Sequence, residues 1–320
     1  MGQLAYAQAI QQALVEEMQQ DEKVFIVGES VQGGAFGITT GLVNQFGADR
    51  VLDTPISETA VAGTGIGAAM MGYRPVVDFM FADFMFVAGD EIFLKAAQWR
   101  FIHGGKPKLP VVFMAAVGGG LMLANEHSQV PTGPILHSPG LKVAVPSNPY
   151  DAKGLLKTAI RDNNPVCYFY HKTLIMMTGE VPEEEYTIPF GVADVKKEGS
   201  DVTVVAVSNM VNHALAVADE LDGKISVEVI DPRTLEPLDL ETVLKSVEKT
   251  GRLVIVDEDT ERCGFAGELC AQVVEKAFDL LDAPVKRVCA ANVPIAGGYL
   301  EKHVLPQPAQ IKTALEDVMS

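Results

Sequence analysis

One glutamate, Glu58, is the first residue of the sequence whose setting could support chemistry. It follows the turn-like segment 53–55 (Asp-Thr-Pro) and opens a helical pattern of small and apolar residues over 59–72. A carboxylate in the first turn of a helix can simply stabilise the helix dipole. Its apolar neighbours offer it little solvation, however: Pro55, Ile56, Ala60, Val61 and Ala62. A poorly solvated carboxyl group has a raised pKa and can act as a general acid or base. Both interpretations are open at this point.

The segment 78–86, DFMFADFMF, places four phenylalanines and two methionines around two aspartates. Aromatic-rich strands of this kind usually belong to a hydrophobic core. A flat heteroaromatic ligand would also need such a set of ring and thioether contacts. The segment is therefore either core or a stacking platform.

A polar loop follows three consecutive glycines at 118–120, after a predicted strand. It reads Asn-Glu-His-Ser-Gln over 125–129. Binding and catalytic sites of α/β folds are commonly built on such loops. His127 either caps a turn or delivers and orients a proton. No GxSxG and no nucleophilic-cysteine signature occurs, so the sequence shows no recognisable nucleophile motif.

The glycines at 63, 65 and 67 form a G-x-G-x-G series that gives little support for dinucleotide binding. No strand directly precedes the series, and no acidic residue follows about twenty positions later at a strand end. Gly63 and Gly67 are four residues apart, so they lie on one face of the predicted helix. We interpret them as a surface that another backbone can approach closely.

Apolar runs and helical patterns alternate along the chain and predict an α/β fold with two doubly wound, mostly parallel-sheet domains, 1–185 and 186–320. The predicted strands are 24–28, 76–80, 110–114, 142–146, 166–170, 202–208, 226–231, 253–257 and 285–288. The predicted helices are 5–20, 59–72, 91–100, 149–162, 212–221, 238–247 and 267–280. Charge, proline and glycine concentrate in TGEVPEEEYTIPFG (178–191), so the boundary is expected within 173–200.

The composition indicates protein partners. The 25 basic and 42 acidic residues give a net charge of −17, which argues against nucleic acid and against an anionic membrane. Because 48% of the residues are hydrophobic and 21% are charged, other subunits are expected to cover part of the apolar surface. The four cysteines show neither CxxC nor zinc spacing, and no apolar run is long enough to span a membrane. Without a signal or transit pattern, these features predict a cytoplasmic protein.

Seven sequence blocks spread over both predicted domains carry a family resemblance. They are GES (28–30), GLVNQFGADRVLDTPISE (41–58), GYRPVVDF (72–79), HSQ (127–129), HSPGLKVAVPSNPYDAKGLLKTAIRDNNPV (137–166), VEVIDPRTLEPLD (227–239) and KTGRLVIVDE (249–258). Through them the chain resembles, end to end, the β subunit of the decarboxylating component of 2-oxo acid dehydrogenase complexes, which include pyruvate, branched-chain and acetoin dehydrogenases. The resemblance implies a thiamine-diphosphate pyrimidine-binding domain followed by a transketolase C-terminal-like domain.

The resemblance also implies roles for individual residues. Glu58 corresponds to the glutamate that contacts the aminopyrimidine ring of thiamine diphosphate and shares its proton with a ring nitrogen. This sharing favours the imino tautomer that removes the proton from the thiazolium carbon. Met80 and Phe84 correspond to residues that line the pyrimidine ring, and His127 corresponds to a histidine that assists acyl transfer to lipoamide. The family's structural potassium site would be formed by Ala159, Ile160, Asp162 and Asn164.

Partners are implied in the same way. In the family, a GDG motif with a later asparagine binds the metal and the diphosphate on a separate α subunit. Here GDE at 89–91 lacks the second glycine. The resemblance therefore implies an α2β2 heterotetramer whose α subunit holds most of the Mg²⁺ site, so that one chain alone is inactive. The second domain would dock on a small basic domain of a dihydrolipoyl acyltransferase core, aided by the acidic runs DEDTE (257–261) and ALEDVMS (314–320).

Departures from the family pattern leave the substrate open. Many relatives carry glutamine at position 80, arginine near 114 and Ser-x-Glu-Ala after HSQ, whereas this chain has Met80, Met114 and VPTG at 130–133. The pocket mouth is therefore expected to be more apolar than usual. Residues 257–270 resemble acetoin dehydrogenases, while Met80 and AIRDNNP (159–165) also occur in pyruvate dehydrogenases, so both are favoured over branched-chain acids. Two rival functions are a split transketolase or acyloin-forming enzyme that does not use lipoamide, and a non-catalytic assembly scaffold.

Overall fold

The computed structural model describes residues 2–320, whose elements form two compact α/β units. The first unit extends to Val117 and resumes over Ile135–Phe190, and the second comprises Gly118–Pro134 and Gly191–Ser320. Each unit is built on a mostly parallel sheet with helices between its strands. The predicted fold class, two doubly wound α/β domains, is confirmed. The segment 118–134 falls inside the predicted first domain, 1–185, but in the structure it belongs to the second unit.

The strands up to residue 190 form one parallel sheet and one antiparallel ribbon. Six of them are ordered β3-β2-β4-β5-β7-β6, and β1 pairs with β8. Every residue of β5 and β7 is buried, which explains why both read as continuous apolar runs. The strands are β1 (Gly2–Ala5), β2 (Val24–Gly28), β3 (Val51–Asp53), β4 (Arg74–Phe81), β5 (Val112–Val117), β6 (Lys142–Ala144), β7 (Val166–His171) and β8 (Thr178–Val181).

Six helices occur in the chain up to residue 190. They are α1 (Tyr6–Gln20), α2 (Leu42–Phe46), α3 (Glu58–Met70), α4 (Trp99–Ile102), α5 (Thr132–Leu136) and α6 (Pro149–Arg161). Helix α6 begins where the Asn148 side chain accepts the Asp151 N–H at 2.9 Å and proline occupies the first turn. Its buried Lys153 ammonium lies 2.7 Å from a carboxylate oxygen of Glu16 on α1, so the two helices are joined by charge as well as by apolar contacts.

The second unit has a five-stranded sheet in the order β14-β13-β10-β11-β9, in which only β9 runs antiparallel to its neighbour. The strands of this sheet are β9 (Asp194–Lys197), β10 (Val202–Ala206), β11 (Val227–Asp231), β13 (Leu253–Thr260) and β14 (Lys286–Ala290), and the short strand β12 (Thr234–Glu236) lies outside it. The helices of the second unit are α7 (Asn209–Glu220), α8 (Leu240–Thr250), α9 (Phe265–Ala277) and α10 (Pro308–Met319). Apolar residues of α7 and α10 pack with those of β10, β11 and β13 in one core.

The structure differs from the sequence-based prediction at short and irregular elements and at one regular helix, the 12-residue α10, which was not predicted. Strands β1, β3, β8, β9 and β12 were not predicted, because they have three or four residues each and most are only half-buried. The prediction of one regular helix over 91–100 is wrong: a π-helical segment, Asp90–Ala96, precedes the short α4. A search for the 3.6-residue period does not detect the wider π turn.

Two further observations concern the residues that the structure describes. No helix within 2–320 is long and apolar enough to cross a membrane. Cys167, Cys263, Cys270 and Cys289 are unpaired, and Cys167 is buried in β7, where burial raises the pKa of its thiol. The chain therefore gains no covalent cross-link from its cysteines.

Candidate cofactor and catalytic site

Three of the predicted site residues, Glu58, Met80 and Phe84, follow or end strands at the carboxyl edge of the first sheet. Strands β2, β3, β4 and β5 are mutually parallel, so their carboxyl ends lie at one edge. Glu29 follows β2, the segment leading to Glu58 follows β3, and Met80 lies at the end of β4. Ligands of open parallel sheets bind at this edge. The fold thus brings together three stretches that are up to 50 residues apart in sequence.

Hydrogen bonds within the chain fix the turn before Glu58, and two of them join it to the end of β2 and the segment that follows. Thr54 N–H donates to the Gly28 carbonyl at 3.0 Å, and the carboxylate of Asp53 accepts the Gln32 N–H at 3.1 Å. Ser57 donates its hydroxyl to the Pro55 carbonyl at 3.0 Å. The side chain of Ser57 therefore does not cap helix α3, and the first carboxylate of the helix belongs to Glu58 itself.

Glu58 is half-buried, and its apolar neighbours differ in exposure. Helix α3 turns Val61, Ala62 and Ile66 inward and leaves the opposite face open, so Ala60 is exposed and Ile56 is 78% exposed. The apolar residues next to Glu58 therefore lie on both faces: Val61 and Ala62 are buried, whereas Ile56 and Ala60 are exposed. The expectation that they form a poorly solvated setting for the carboxyl group stays a prediction.

Met80 has a strained backbone at the end of β4. Its φ is +62°, and the pairing of β4 with β5 changes register between Asp78 and Phe81. The carboxylate of Asp78 accepts the Met80 N–H at 2.8 Å and holds this bulge. Bulges redirect side chains, and positive φ at a non-glycine residue is concentrated at functional sites. Desolvation raises the pKa of Asp78 to about 6, with a further contribution from the charge of Glu29.

Phe84 lies in the 3₁₀ turn Ala82–Phe86 that follows Met80. Its ring makes an edge-to-face contact with Phe81, with centroids 5.9 Å apart. Both Phe84 and Met80 are half-buried and pack against the core of the first unit, so each keeps part of its surface accessible. The thioether of Met80, the phenyl ring of Phe84 and the carboxylate of Glu58 thus occur at the same end of the sheet. Thioether and phenyl groups suit the face of a flat heteroaromatic ring, and a carboxylate suits its polar rim.

His127 belongs to the second unit, unlike Glu58, Met80 and Phe84. It is half-buried at the end of a 3₁₀ turn, Asn125–His127, next to the fully buried Ser128. The main-chain N–H of His127 donates to the Ala124 carbonyl at 3.3 Å. The main-chain N–H of Gly118 donates to the Gln129 carbonyl at 3.3 Å and closes the loop. The imidazole thus sits on a loop whose backbone is held on both sides.

The residues predicted for potassium lie at the end of α6 and the following turn: Ala159, Ile160, Asp162 and Asn164. Arg74 donates to the carbonyl oxygens of Ile160 and Asp162 at 2.8 and 2.9 Å. The Asp162 carboxylate pairs with Lys142 at 2.5 Å; burial alone would raise its pKa, but Lys142 and Asn164 hold it below the ordinary value. Each carbonyl oxygen keeps a second lone pair, so the set fits a cation only through main-chain oxygens.

No group of three or more His, Cys, Asp or Glu side chains within residues 2–320 is placed to hold a metal ion. Three functional candidates were not found from the sequence: Asp78, which holds Met80, and Glu258 and Glu301, which bind the loop before His127. Asp78 and Glu258 occur inside recognised blocks, but their roles depend on backbone contacts that no spacing indicates.

Comparison with known proteins gives the family. The model described as "Transketolase, pyrimidine binding domain" matches residues 2–177, and "Transketolase, C-terminal domain" matches residues 191–311. A solved structure described as a split gene transketolase, inactive β4 tetramer, has a TM-score of 0.82 and 24% identity over 99% of both chains, which supports the fold alone. These matches define a chain with the domain architecture of transketolase.

Curated relatives are similar over nearly their whole length. The acetoin:2,6-dichlorophenolindophenol oxidoreductase subunit beta of Bacillus subtilis is 45% identical, covering 96% of this chain and 95% of that protein. The pyruvate dehydrogenase E1 component subunit beta of Staphylococcus epidermidis is 44% identical with 97% coverage of both. The 2-oxoisovalerate dehydrogenase subunit beta of B. subtilis is 42% identical with 99% coverage of both. The chain belongs to the family of β subunits of 2-oxo acid and acetoin dehydrogenases, which confirms the resemblance seen in its sequence.

Proposed function

We propose that this chain is the β subunit of a thiamine-diphosphate-dependent 2-oxo acid or acetoin dehydrogenase that works with an α subunit in an α2β2 heterotetramer. The observation that carries the proposal is the placement of Glu58, Met80 and Phe84 at the carboxyl edge of one parallel sheet. The curated relatives support it, since they act on acetoin, pyruvate and 2-oxoisovalerate by name.

Each residue of this edge has a defined task in the proposal. Thiamine diphosphate, when bound, supplies the carbon nucleophile that attacks the substrate carbonyl. Glu58 would share a proton with a nitrogen of the aminopyrimidine ring, and the α subunit would complete the enclosure that α3 leaves open around its carboxylate. Met80 and Phe84 would line that ring and fix its orientation. The α subunit holds Mg²⁺ and the diphosphate.

His127 is proposed to act in the second half of the reaction. Its imidazole would move a proton while the acyl group passes to the lipoyl group of a dihydrolipoyl acyltransferase partner. The half-buried position of His127 on an anchored loop supports this role, because a proton donor must be both reachable and fixed. We also propose a cytoplasmic location, since four unpaired cysteines are typical of a reducing compartment.

The test is reconstitution with the α subunit, followed by assays with pyruvate, acetoin and branched-chain 2-oxo acids. Turnover is measured with an artificial electron acceptor and, separately, with a lipoyl domain. We expect turnover of pyruvate or acetoin and transfer to the lipoyl domain. Turnover without any transfer would favour the split transketolase or acyloin-forming alternative. Failure of the assembled pair to bind the cofactor would favour a non-catalytic scaffold.

We further propose that a structural potassium ion binds at the end of α6. It would use the free lone pairs of the Ile160 and Asp162 carbonyl oxygens, which already accept from Arg74. The assembled protein should then melt at a higher temperature in potassium chloride than in N-methylglucamine chloride of equal ionic strength. Equal melting temperatures would show that Arg74 and Lys142 alone stabilise this turn.

A further inference from the structure

The loop that carries His127 is bound by two buried glutamates from distant parts of the second unit. An Oε1 atom of Glu258, in strand β13, accepts the Gly119 N–H at 2.5 Å. An Oε2 atom of Glu301, in the 3₁₀ turn Gly298–His303, accepts the Met122 N–H at 3.1 Å. Glu258 is 6% and Glu301 is 4% exposed. Charge-assisted hydrogen bonds of this kind are about twice as strong as neutral ones.

The same loop has features that oppose its own stability. Met122 and Ala124 have φ of +61° and +66°, a region in which a residue with a side chain is strained. Oε1 of Glu301 is buried and has no hydrogen-bond partner within residues 2–320. Residues 121–123, Leu-Met-Leu, are 41 to 63% exposed. A buried unpaired oxygen and a strained backbone each destabilise the folded loop.

Backbone strain and an unpaired buried oxygen persist in a folded protein where the surrounding structure holds that conformation for a function. The Glu258 and Glu301 contacts act on Gly119 and Met122, and the Gly118 N–H closes the loop on the Gln129 carbonyl. His127 lies between the last anchor and the closure. Releasing one anchor would let the strained residues relax and would move the imidazole, whereas the fold of the second unit rests on its separate core.

We propose that Glu258 and Glu301 are positioning residues that fix the loop 118–129, and thereby His127, for acyl transfer to the lipoyl group. This inference rests on the role proposed above for His127. The two glutamates act through the loop backbone and touch neither the substrate nor the cofactor.

The substitution at Glu301 can separate the hydrogen bond from the charge. Glu301→Ala removes the acceptor of the Met122 N–H, whereas Glu301→Gln keeps an acceptor oxygen of the same reach. In the assembled protein, Glu301→Ala should lower kcat for transfer to a lipoyl domain by at least about tenfold, because small displacements of a positioned group cost this much or more. Turnover with the artificial acceptor should stay within about twofold, and Glu301→Gln should restore transfer.

Glu228→Ala is the matched control. Glu228 is also a buried carboxylate of the second unit, but it bonds Ser246 and Lys249 and makes no contact with the loop. It should lower the melting temperature without changing the ratio of the two activities. If Glu301→Ala lowers both activities equally, or leaves transfer unchanged, the positioning inference is overturned.

Hydrogen exchange separates failure of this inference from failure of the proposed function. The amides of residues 119–129 should exchange faster in Glu301→Ala than in the wild type or in Glu228→Ala. Unchanged exchange would overturn the inference and leave the role of His127 untouched. His127→Ala is assayed in parallel: normal lipoyl transfer by this variant would refute the proposed role of His127 whatever the exchange result.

Discussion

At the scale of single residues, two carboxyl groups of the first unit have distinct settings. Glu58 opens α3 with Ile56 and Ala60 exposed beside it, so its environment depends on what covers that face. Asp78 is already desolvated by its own chain and is tied to the strained backbone of Met80. In the proposed function the α subunit completes the surroundings of Glu58, whereas the surroundings of Asp78 are set within the chain.

Glu58→Gln should leave folding and assembly intact and should abolish proton exchange at the thiazolium carbon of bound thiamine diphosphate. The reason is that an amide cannot share a proton with the ring nitrogen, and loss of general acid–base assistance lowers rates by about 10² or more. Exchange is followed by NMR in the assembled complex. Glu241→Gln, which changes an exposed first-turn glutamate of α8, is the control. Exchange at the wild-type rate in Glu58→Gln would refute the role of Glu58.

Asp78→Asn should change the pH dependence of stability. Because the pKa of Asp78 is raised from 3.8 to about 6, the folded chain keeps a proton that the unfolded chain releases as pH rises from about 4 to about 6. Asp78 therefore lowers the free energy of unfolding across this window, by at most about 1.4 kcal/mol per pH unit, and the loss is complete above it.

The Asn side chain keeps an oxygen for the Met80 N–H and cannot ionise. The variant should thus gain stability relative to the wild type between pH 4.5 and pH 7.5, measured by urea unfolding at both values. A difference between variant and wild type that is the same at both pH values would contradict the raised pKa.

At the scale of elements, the two faces of α3 have opposite packing. A Cβ atom at Gly65 would lie 2.3 Å from Cγ2 of Val77 on β4, so this glycine permits the close approach of helix and sheet. A Cβ atom at Gly67 would meet no heavy atom within 4 Å. The outward face, with Gly63, Gly67 and the 40% exposed Met70, is a surface suited to close contact with another subunit.

Gly65→Ala should therefore destabilise the chain by about 1 to 3 kcal/mol through overpacking. Gly67→Ala should leave the free energy of unfolding of the β chain unchanged or raise it by up to about 1 kcal/mol, since alanine favours a helix. Chemical denaturation of the isolated chain measures both. If Gly67→Ala weakens assembly with the α subunit in analytical ultracentrifugation, the outward face is part of that contact; unaltered assembly would place the contact elsewhere.

At the scale of the whole molecule, the proposed function divides the cofactor site between two subunits, and no group of three or more His, Cys, Asp or Glu side chains within residues 2–320 is placed to hold a metal ion. We expect that the β chain alone will show no binding of thiamine diphosphate with Mg²⁺ at micromolar concentrations in calorimetry. The α–β pair should bind it, because the α subunit supplies the diphosphate site. Tight, metal-dependent binding by the isolated chain would contradict the division of the site between subunits.

The two acidic runs predicted to favour acyltransferase docking differ in their exposure to solvent. Asp257, Glu258 and Asp259 are 1 to 8% exposed, so the prediction that DEDTE presents its charge to a partner is wrong for these three. They lie at the end of β13, inside the second unit, where carboxylates bind backbone N–H groups. Glu316 and Asp317 on α10 are exposed, although Asp317 pairs with Lys286 at 3.2 Å.

Glu316→Gln with Asp317→Asn should slow association with the acyltransferase and reduce its salt dependence, because exposed charges speed encounter more than they add affinity. Surface plasmon resonance over a salt series measures the association rate. Turnover with an artificial acceptor serves as the control and should not change. Association that ignores both salt and these substitutions would leave the acidic end of α10 without a docking role.

The sequence by itself determined the family, the two α/β domains and the identity of Glu58, Met80, Phe84 and His127 as candidates. Motifs such as DTPISE and HSQ are contiguous in the sequence and can be recognised directly, and buried parallel strands appear as apolar runs. These are properties of neighbouring residues, and they can be read without knowing any distant contact.

Only the tertiary structure decided which residues hold those candidates in place. The bond from Gly119 to Glu258 spans 139 residues, and that from Met122 to Glu301 spans 179, so no local pattern indicates them. The burial of residues 257–259, the exposure of Ile56 and the positive φ of Met80 likewise depend on which face of each element meets the rest of its unit. A carboxylate reads the same in sequence whether it is solvated or buried, because its environment is made by residues far along the chain.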